Sequence, residues 1–182
     1  MIGPTEADLL FWALARATGI GAFAALAIAL LSGIALRTAT LDWLATNRAL
    51  KALHTWTQSL WLPLGGLHLL TIWLDRTARV GLADLVVPFG VGYGSLAVGL
   101  GTLAFDAFVL VAITAWARRW MDLGLWRWIH RAGYLAYAFT FAHAVLSGSD
   151  FSSPAISAIA WATAFGLAVL TLSRVLWGRL PG

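Results

Sequence analysis

The sequence predicts an all-α integral membrane protein in which about five transmembrane helices form one helical bundle. Hydrophobic residues make up 60% of the 182 residues and charged residues only 11%, whereas charged residues approach about a quarter of an ordinary soluble domain. Apolar runs recur along the chain at membrane-spanning length, which is about 20 residues. Polar or glycine-rich connections separate these runs. Residues 1–182 are therefore interpreted as a single transmembrane domain.

The five runs differ in their polar content. Gly19, Gly21 and Gly33 in the first run are interpreted as packing glycines, because small residues let helix backbones approach closely in lipid. Pro63 is expected to interrupt or kink the second run, since proline removes a backbone donor. The predicted spans cover 9–36, 51–74, 96–116, 126–147 and 155–177, and residues 75–95 are predicted to form a surface loop.

Charge predicts the topology of the chain. The net charge of +4 comes from basic residues between apolar runs, without the basic and aromatic patches typical of nucleic-acid binding. The positive-inside rule places the N-terminus outside and the C-terminus inside a bacterial cytoplasmic membrane. The acidic Glu6 and Asp8 argue against a cleaved signal peptide. The basic residues assigned to the inner side are Arg37, Arg48, Lys51, Arg118, Arg119, Arg127, Arg131, Arg174 and Arg179.

All four histidines of the sequence lie inside two of the apolar runs. His54 and His68 are fourteen residues apart, and His130 and His143 thirteen, which corresponds to about 21 and 20 Å along a helix. His54 and His130 are expected at one depth in the membrane and His68 and His143 at another, so these are the predicted pairs. An imidazole in hydrocarbon is costly unless it pairs or binds something. The two pairs therefore favour metal ligation over four structural imidazoles.

The donor set favours haem over other metal centres. The sequence contains no cysteine, which excludes disulfides, cysteine-ligated iron–sulfur clusters and covalent haem attachment. Zinc or copper would be expected to recruit cysteine or carboxylate ligands. The simplest prediction is two bis-histidine haems, held without a covalent bond. One is expected near the inner face and the other near the outer face.

The thirteen-residue spacing of His130 and His143 raises a geometric problem. Fourteen residues at about 100° each return a side chain to within about 40° of its starting direction, but thirteen miss by about 140°. An ideal straight helix would therefore point His130 and His143 apart. A one-residue bulge, a helix tilt, or a His130 in an irregular first turn would each correct this.

Two segments carry a resemblance to a known family: RALKALHTWTQSLWLPLGGLHLL and FVLVAITAWARRWMDLGLWRWIHRAGYLAYAFTFAHAVLSG. They resemble the ferric reductase-like transmembrane domain family over roughly residues 48–177. That family includes the membrane parts of NADPH oxidases and ferric reductases, and the haem subunit of bacterial methionine sulfoxide reductase systems. The resemblance implies transmembrane electron transfer through b-type haems, with the four histidines as axial ligands. Larger members usually have six spans and a flavin- or nicotinamide-binding domain, whereas five spans and no such domain are predicted here, so a separate electron-transfer partner is expected.

Several other residues are candidates for contacts with the haems. Gly65 and Gly66 would leave room for a flat macrocycle, and Trp61 and Tyr137, each seven residues from a histidine, could lie between the two levels. Ordinary packing is the alternative for both aromatics. Basic residues could bind the haem propionates, because arginine suits carboxylates, or could only determine topology. They are Arg48, Lys51, Arg127 and Arg131 near the inner pair, and Arg76 and Arg79 in the loop.

Two isolated charges lie within the predicted spans. Arg16 lies near the outer end of the first span, where its long side chain could extend to water. Asp106 lies inside the third span. Asp106 could pair with Arg16 or relay protons. The favoured alternative is a carboxylate without a functional role, which would be protonated if it is buried and unpaired.

The sequence therefore predicts a di-haem b-type membrane cytochrome. A separate cytoplasmic flavoprotein or a membrane quinol would reduce the inner haem, and the outer haem would reduce a ferric chelate, oxygen or a periplasmic redox protein. The loop 75–95 would form the exit or docking surface. The alternatives are a non-catalytic haem-bearing anchor subunit of a larger membrane redox complex, and a haem-free scaffold. Whether the chain is itself an enzyme stays open.

Overall fold

The computed structural model describes residues 5–38 and 43–177. Within these ranges the chain is helical and contains no strand, so the all-α prediction is confirmed. Each of the five predicted spans lies inside one α-helix. These are α1 (Glu6–Thr38), α2 (Asn47–Leu74), α3 (Ser95–Ala117), α4 (Leu123–Ser147) and α5 (Pro154–Trp177), with short 3-10 helices at Ala83–Leu85, Arg118–Trp120 and Ser149–Ser152.

The five α-helices differ in how apolar they are. By length and composition, three described helices could cross a membrane: α1, α3 with its 3-10 extension, and α5. The chain is thus a helical membrane protein. The histidine-bearing helices α2 and α4 have 28 and 25 residues, which exceeds the roughly 20 residues that a span requires. They are less apolar than the other three because they carry the histidines and basic residues, Arg48 and Lys51 in α2 and Arg127 and Arg131 in α4.

Local sequence signals determine where the helices begin. The side chain of Thr46 accepts a hydrogen bond from the main-chain N–H of Ala49 at the start of α2. Asp122 accepts one from Leu125 and starts α4 earlier than the predicted residue 126, so the basic connection is short. Both are N-caps, which satisfy an otherwise unpaired N–H of the first turn. Pro154 begins α5 at a position where proline is favoured.

The helices pack as two hairpins. α1 packs along α2, and α3 along α4, over most of their lengths, whereas contacts between the hairpins and with α5 are sparse. We call these pairs the α1–α2 hairpin and the α3–α4 hairpin. The end of the bundle that contains Thr38, Asn47, Ala117 and Leu123 is the basic end, and the opposite end, with residues 75–94, is the loop end.

A buried aromatic layer joins the hairpins at mid-height. Trp61 is 5% exposed and packs against Phe108, with ring centroids 5.5 Å apart. Tyr137 is 4% exposed and stacks on Phe23 of α1, also at 5.5 Å. Trp61 lies seven residues from each histidine of α2. The layer therefore separates the His54 level from the His68 level.

Helix α2 is continuous through Pro63. The predicted break at Pro63 does not occur, because the one missing proline N–H leaves the rest of the helical hydrogen bonds intact and α1 packs along the helix. The neighbouring glycines differ in position. Gly65 is buried, and a Cβ there would lie 3.3 Å from the ring of Phe105. Gly66 is exposed and has no atom near it.

Residues 75–94 fold back over the loop end, as the prediction of a surface loop requires. The ring of Phe89 lies against Gly99 of α3, so closely that a Cβ at this glycine would be 2.2 Å from Phe89 Cδ1. The hydroxyl of Tyr93 donates to the carbonyl of Ala78. Burial raises the pKa of Tyr93 above its ordinary value, and the nearby charge of Asp75 acts in the same direction.

Introduced cysteines test whether the two ends lie on opposite sides of a membrane. The sequence has no native cysteine, so Asn47→Cys at the basic end and Ser152→Cys at the loop end are each a unique label site. In sealed vesicles of uniform orientation, an impermeant maleimide should label one variant directly and the other only after permeabilisation. The unmodified chain is the control. Labelling of both from one side would contradict the two-sided bundle.

Candidate functional site

The four histidines meet in two pairs. The rings of His54 and His130 have centroids 6.3 Å apart and an interplanar angle of 73°. The rings of His68 and His143 are also 6.3 Å apart, with an angle of 80°. These are the pairs that depth matching predicts. Each pair joins one ring from α2 with one from α4, and so bridges the two hairpins.

The 6.3 Å spacing has a direct meaning in coordination chemistry. A five-membered ring with C–N bonds of about 1.33 Å places each nitrogen about 1.1 Å from the ring centroid. A bond from a first-row metal to an imidazole nitrogen is about 2.0–2.1 Å, as in zinc sites. Two imidazoles on opposite sides of one metal ion therefore have centroids about 6.2–6.4 Å apart. Both pairs have this spacing.

Three of the four rings are oriented by a hydrogen bond from Nδ1 to a main-chain carbonyl of the neighbouring helix. A carbonyl oxygen can only accept, so Nδ1 carries the proton and Nε2 keeps a free lone pair. Metal-binding histidines usually have such a support, which fixes the tautomer and raises ligand basicity. The bonds run from His54 to Ala29 (2.7 Å), from His68 to Ala15 (2.8 Å) and from His143 to Ala97 (2.8 Å).

A glycine lies one helical turn after each of these carbonyls, and its missing side chain lets the ring approach the helix. Real Cβ atoms almost never come within 3.0 Å of another heavy atom, so a larger residue at Gly19 or Gly101 would displace the ring, whereas at Gly33 a shift of a few tenths of an ångström would suffice. A Cβ would lie 2.9 Å from His68 Nδ1 at Gly19, 3.1 Å from His54 Cε1 at Gly33, and 2.6 Å from His143 Nδ1 at Gly101.

The sequence contains a signal for two of these glycines that was not used. Gly19 and Gly33 are fourteen residues apart, the same separation as His54 and His68 on the antiparallel neighbour α2. Their interpretation as ordinary packing glycines was incomplete, because each also makes space for an imidazole. Gly101 of α3 was not singled out at all. Equal spacing on adjacent antiparallel helices indicates a repeated side-chain contact.

His130 is supported differently from the other three. Its Nδ1 is buried and has no hydrogen-bond partner among the described residues. The ring instead stacks on Trp126, one turn earlier in α4, with centroids 5.1 Å apart and an angle of 22°. Arg118 covers this tryptophan, with its guanidinium carbon 4.4 Å from the ring centroid. Trp126 Nε1 is also buried without a partner in the described part of the chain.

This difference bears on the thirteen-residue spacing. Helix α4 is a regular α-helix from Leu123 to Ser147, and His130 lies seven residues after its start. The bulge and the irregular first turn considered from the sequence are therefore wrong. The angular mismatch between His130 and His143 is therefore accommodated by the tilt of α4 and by the conformations of the two side chains. In agreement, His143 leaves α4 towards α3 while His130 stacks along its own helix.

Three arginines from separate elements act electrostatically on His130. They are Arg37 at the end of α1, Arg118 in the 3-10 helix after α3, and Arg174 in α5. Arg174 also donates a hydrogen bond to the hydroxyl of Tyr134. None of the three was a predicted site residue. Their convergence depends on tertiary structure, which sequence spacing does not reveal.

The basic residues predicted for this level have other surroundings. Arg48 and Lys51 are exposed and line a shallow groove on α2 together with Trp56. Arg127 donates from Nε to the carbonyl of Leu123 in its own helix. The guanidinium carbon of Arg131 lies 5.9 Å from the centroid of the Trp128 ring. The described contacts of all four therefore lie within their own helices.

A cavity of about 510 Å³ lies beside the His68–His143 pair, within the range of about 300–1,000 Å³ common for ligand and cofactor pockets. Gly65 and Trp61 are in its wall, whereas Gly66 is not. Tyr137 lies in the aromatic layer rather than in the cavity lining. The charged residues that line the cavity are Arg16, Asp75, Asp84 and Asp150.

Arg16 forms an ion pair with Asp150 at the cavity mouth. Its Nε donates to Asp150 Oδ2 at 2.8 Å, and a second guanidinium nitrogen contacts the other carboxylate oxygen. The hydrogen bond from Arg16 holds the pKa of Asp150 below its ordinary value. The predicted pairing of Arg16 with Asp106 is therefore wrong. Asp106 is half-buried and makes no hydrogen bond or ion pair within the described ranges.

The two loop arginines lie outside the cavity lining. The main-chain N–H of Arg76 donates to Asp8 Oδ1 at 3.4 Å, which connects the loop to the start of α1. Arg79 has a positive φ of 51°, and its charge acts on Tyr93 at the cavity rim. Among the described residues, Arg16 is the basic residue that lines the cavity, and it was not a predicted site residue.

The candidate centres supply two protein ligands each. Over residues 5–38 and 43–177, no group of three or more histidine or carboxylate side chains could together hold a metal ion. Comparisons with protein-family models, with curated proteins and with solved structures give no match to this chain. The resemblance to the ferric reductase-like family therefore stays a prediction. The functional argument depends on the geometry of the two histidine pairs.

Two matched glycine substitutions test the carbonyl supports. Gly101→Ala should displace the His143 ring from Ala97, since its Cβ would lie 2.6 Å from Nδ1, and should lower the unfolding temperature in detergent. Gly66→Ala is the control, because nothing lies within 4 Å of its Cβ. There alanine should stabilise α2 by about 0.5–1 kcal/mol through its helix propensity. Equal changes in both variants would contradict the steric role of Gly101.

Proposed function

We propose that this chain binds two b-type haems, one at each histidine pair, and conducts electrons between the two ends of the bundle as a di-haem membrane cytochrome. The observation that carries this proposal is the 6.3 Å separation of the rings in both pairs. One haem would be held by His54 and His130, and the other by His68 and His143. A bound haem would supply a one-electron carrier whose potential depends on its surroundings.

The donor set of each pair fits this group. Imidazole is the usual axial ligand of b-type haem, and three of the rings are held with Nε2 free for a metal. Structural zinc sites normally have four ligands, and copper sites add thiolate or thioether. Neither set accompanies the histidine pairs. The glycines one turn from the carbonyls then serve to place the rings at ligand distance.

Propionate groups would find donors at both levels. At the basic end, Arg37, Arg118 and Arg174 are the cations whose charges act on His130, and the unpartnered Nε1 of Trp126 is available as a further donor. At the loop end, Arg16 lines the cavity beside His68 and His143. Guanidinium groups bind carboxylates with two parallel hydrogen bonds. Arg16 already makes this type of contact with Asp150.

The aromatic layer would keep the two centres apart. Trp61, Phe108 and Tyr137 are buried between the levels of the two pairs. His54 and His68 are fourteen residues apart on one continuous helix, which corresponds to a rise of about 21 Å. Because α2 is continuous between His54 and His68, it would fix the separation of the two centres.

The charge distribution supports an orientation with the basic end in the cytoplasm. A cytoplasmic flavoprotein or a membrane quinol would then donate electrons at the His54–His130 pair. The acceptor at the loop end would be a ferric chelate, oxygen or a periplasmic redox protein. Residues 75–94 cover that end and form part of the cavity wall, as a docking or exit surface requires.

Haem stoichiometry tests the proposal directly. Pyridine haemochrome analysis of the purified protein should give about two b haems per chain. His54→Ala and His143→Ala should each reduce this to about one, because each removes one axial ligand. Thr55→Ala, an exposed change beside His54, should keep both haems. A protein without haem, or one whose haem content is unaffected by these histidine changes, would overturn the assignment.

The alternative of a non-catalytic haem-bearing subunit predicts a different reactivity. The dithionite-reduced, desalted protein should reduce ferric citrate when it is mixed alone if it is a self-sufficient electron conduit. Stopped-flow spectra would then show the haem bands returning to the oxidised form within seconds. A haem-loaded protein that stays reduced under these conditions would favour the subunit role.

A further inference from the structure

The two histidine pairs are equal in spacing but differ in their surroundings. We propose that the chain makes its two haem sites unequal in reduction potential, with the His54–His130 site at the basic end the higher and the His68–His143 site at the loop end the lower. This inference rests on the proposed function. It is carried by two independent differences, in ligand support and in local charge.

Ligand support differs by one hydrogen bond. Both rings of the loop-end pair donate Nδ1–H to a main-chain carbonyl, from His68 to Ala15 and from His143 to Ala97. At the basic end only His54 does so, and His130 Nδ1 has no partner among the described residues. A donated Nδ1–H makes imidazole a stronger electron donor to a metal. Stronger donation stabilises the oxidised iron, so it lowers the potential of the loop-end site.

Charge around the two sites acts in the same direction. Reduction adds one electron to the iron without a proton in this scheme, so a neighbouring positive charge stabilises the reduced form. Arg37, Arg118 and Arg174 act on His130 at the basic end. At the loop end, the one arginine that lines the cavity is paired with a carboxylate, and two further carboxylates complete the charged lining. The residues are Arg16, Asp75, Asp84 and Asp150.

Residue exposure does not separate the two pairs, since all four histidines are half-buried. The interplanar angles of the two pairs are also similar, at 73° and 80°. The ligands are the same in number and type. Ligand support and charge are therefore the features that distinguish the sites.

An order of potentials has a consequence for electron flow. Transfer of one electron from the loop-end iron to the basic-end iron would be downhill, and the outward transfer uphill. An electron that enters at the basic end would remain mainly at that site. It would move outward only as an acceptor takes electrons from the loop-end site. Outward flow would then depend on the acceptor, which limits loss of electrons when none is bound.

The test is a spectroelectrochemical titration of the purified haem-loaded protein. Haem is first counted by pyridine haemochrome, so that failure of the proposed function appears as missing haem and is separate from failure of this inference. Two components should then resolve. The reduced-to-oxidised ratios of the two haems should differ at least tenfold at any one potential, which corresponds to about 59 mV for one electron. A single component would overturn the inference.

Arginine variants assign the components to sites without altering a ligand. Arg37→Gln and Arg118→Gln should each lower the higher potential and leave the lower one unchanged, because both charges act on His130. Arg48→Gln is the matched control. It removes an exposed charge from the same end, but Arg48 lies in a groove lined by α2 residues alone and is not among the cations that act on His130. It should therefore shift neither component. If the arginine variants move the lower component, or neither, the proposed order is wrong.

A glycine variant tests the contribution of ligand support. Gly101→Ala should raise the lower potential, since its Cβ would displace His143 from the Ala97 carbonyl. Gly66→Ala, with nothing near its Cβ, should change neither potential. A shift of the higher component in the Gly101 variant would contradict the assignment. If this variant binds one haem fewer, the component that disappears must be the one of lower potential. The arginine variants then still test the order of the two potentials.

Discussion

The hydrogen bond from an imidazole Nδ1 to a main-chain carbonyl is the interaction on which the rest of the structure depends. An intramembrane imidazole with unpaired nitrogens is costly, and these bonds satisfy one nitrogen while directing the other away from the helix. Each requires a carbonyl whose helix can be approached closely, and a glycine one turn later provides this approach. The bonds also explain why α1 accompanies α2 and α3 accompanies α4. A supporting helix without histidines stands beside each helix that carries them.

Much of the arrangement could be predicted because the position of a residue along the axis of a membrane helix follows from its residue number. The rise per residue was sufficient to pair His54 with His130 and to place Trp61 between the two levels. Direction around the helix axis was harder, since it depends on tilt and on side-chain conformation, and it misled the interpretation of α4. The cations around His130 come from α1, from the 3-10 helix after α3 and from α5. Such a convergence has no local pattern in the sequence.

The two ends of the bundle differ more than a repeated pair of sites would suggest. At the basic end, Arg118 covers the stack of Trp126 and His130, and the described residues there form no ion pair with a carboxylate. At the loop end, Arg16 is neutralised by Asp150, and this pair also ties α1 to the 3-10 helix between α4 and α5. A similar geometry at both levels is thus combined with different local charge. In this way one fold can give two like centres different properties.

The division into two hairpins has a consequence for how the protein is made. Each hairpin contains its histidines, and all but one of these have their carbonyl supports within the same hairpin, so each half can be complete soon after it enters the bilayer. Contacts between the halves are sparse, and both histidine pairs cross that boundary. Under the proposed function, each haem would link the α1–α2 hairpin to the α3–α4 hairpin. The free energy of haem binding would then contribute to the assembly of the two hairpins. Cofactor supply would then regulate how many finished molecules the membrane contains.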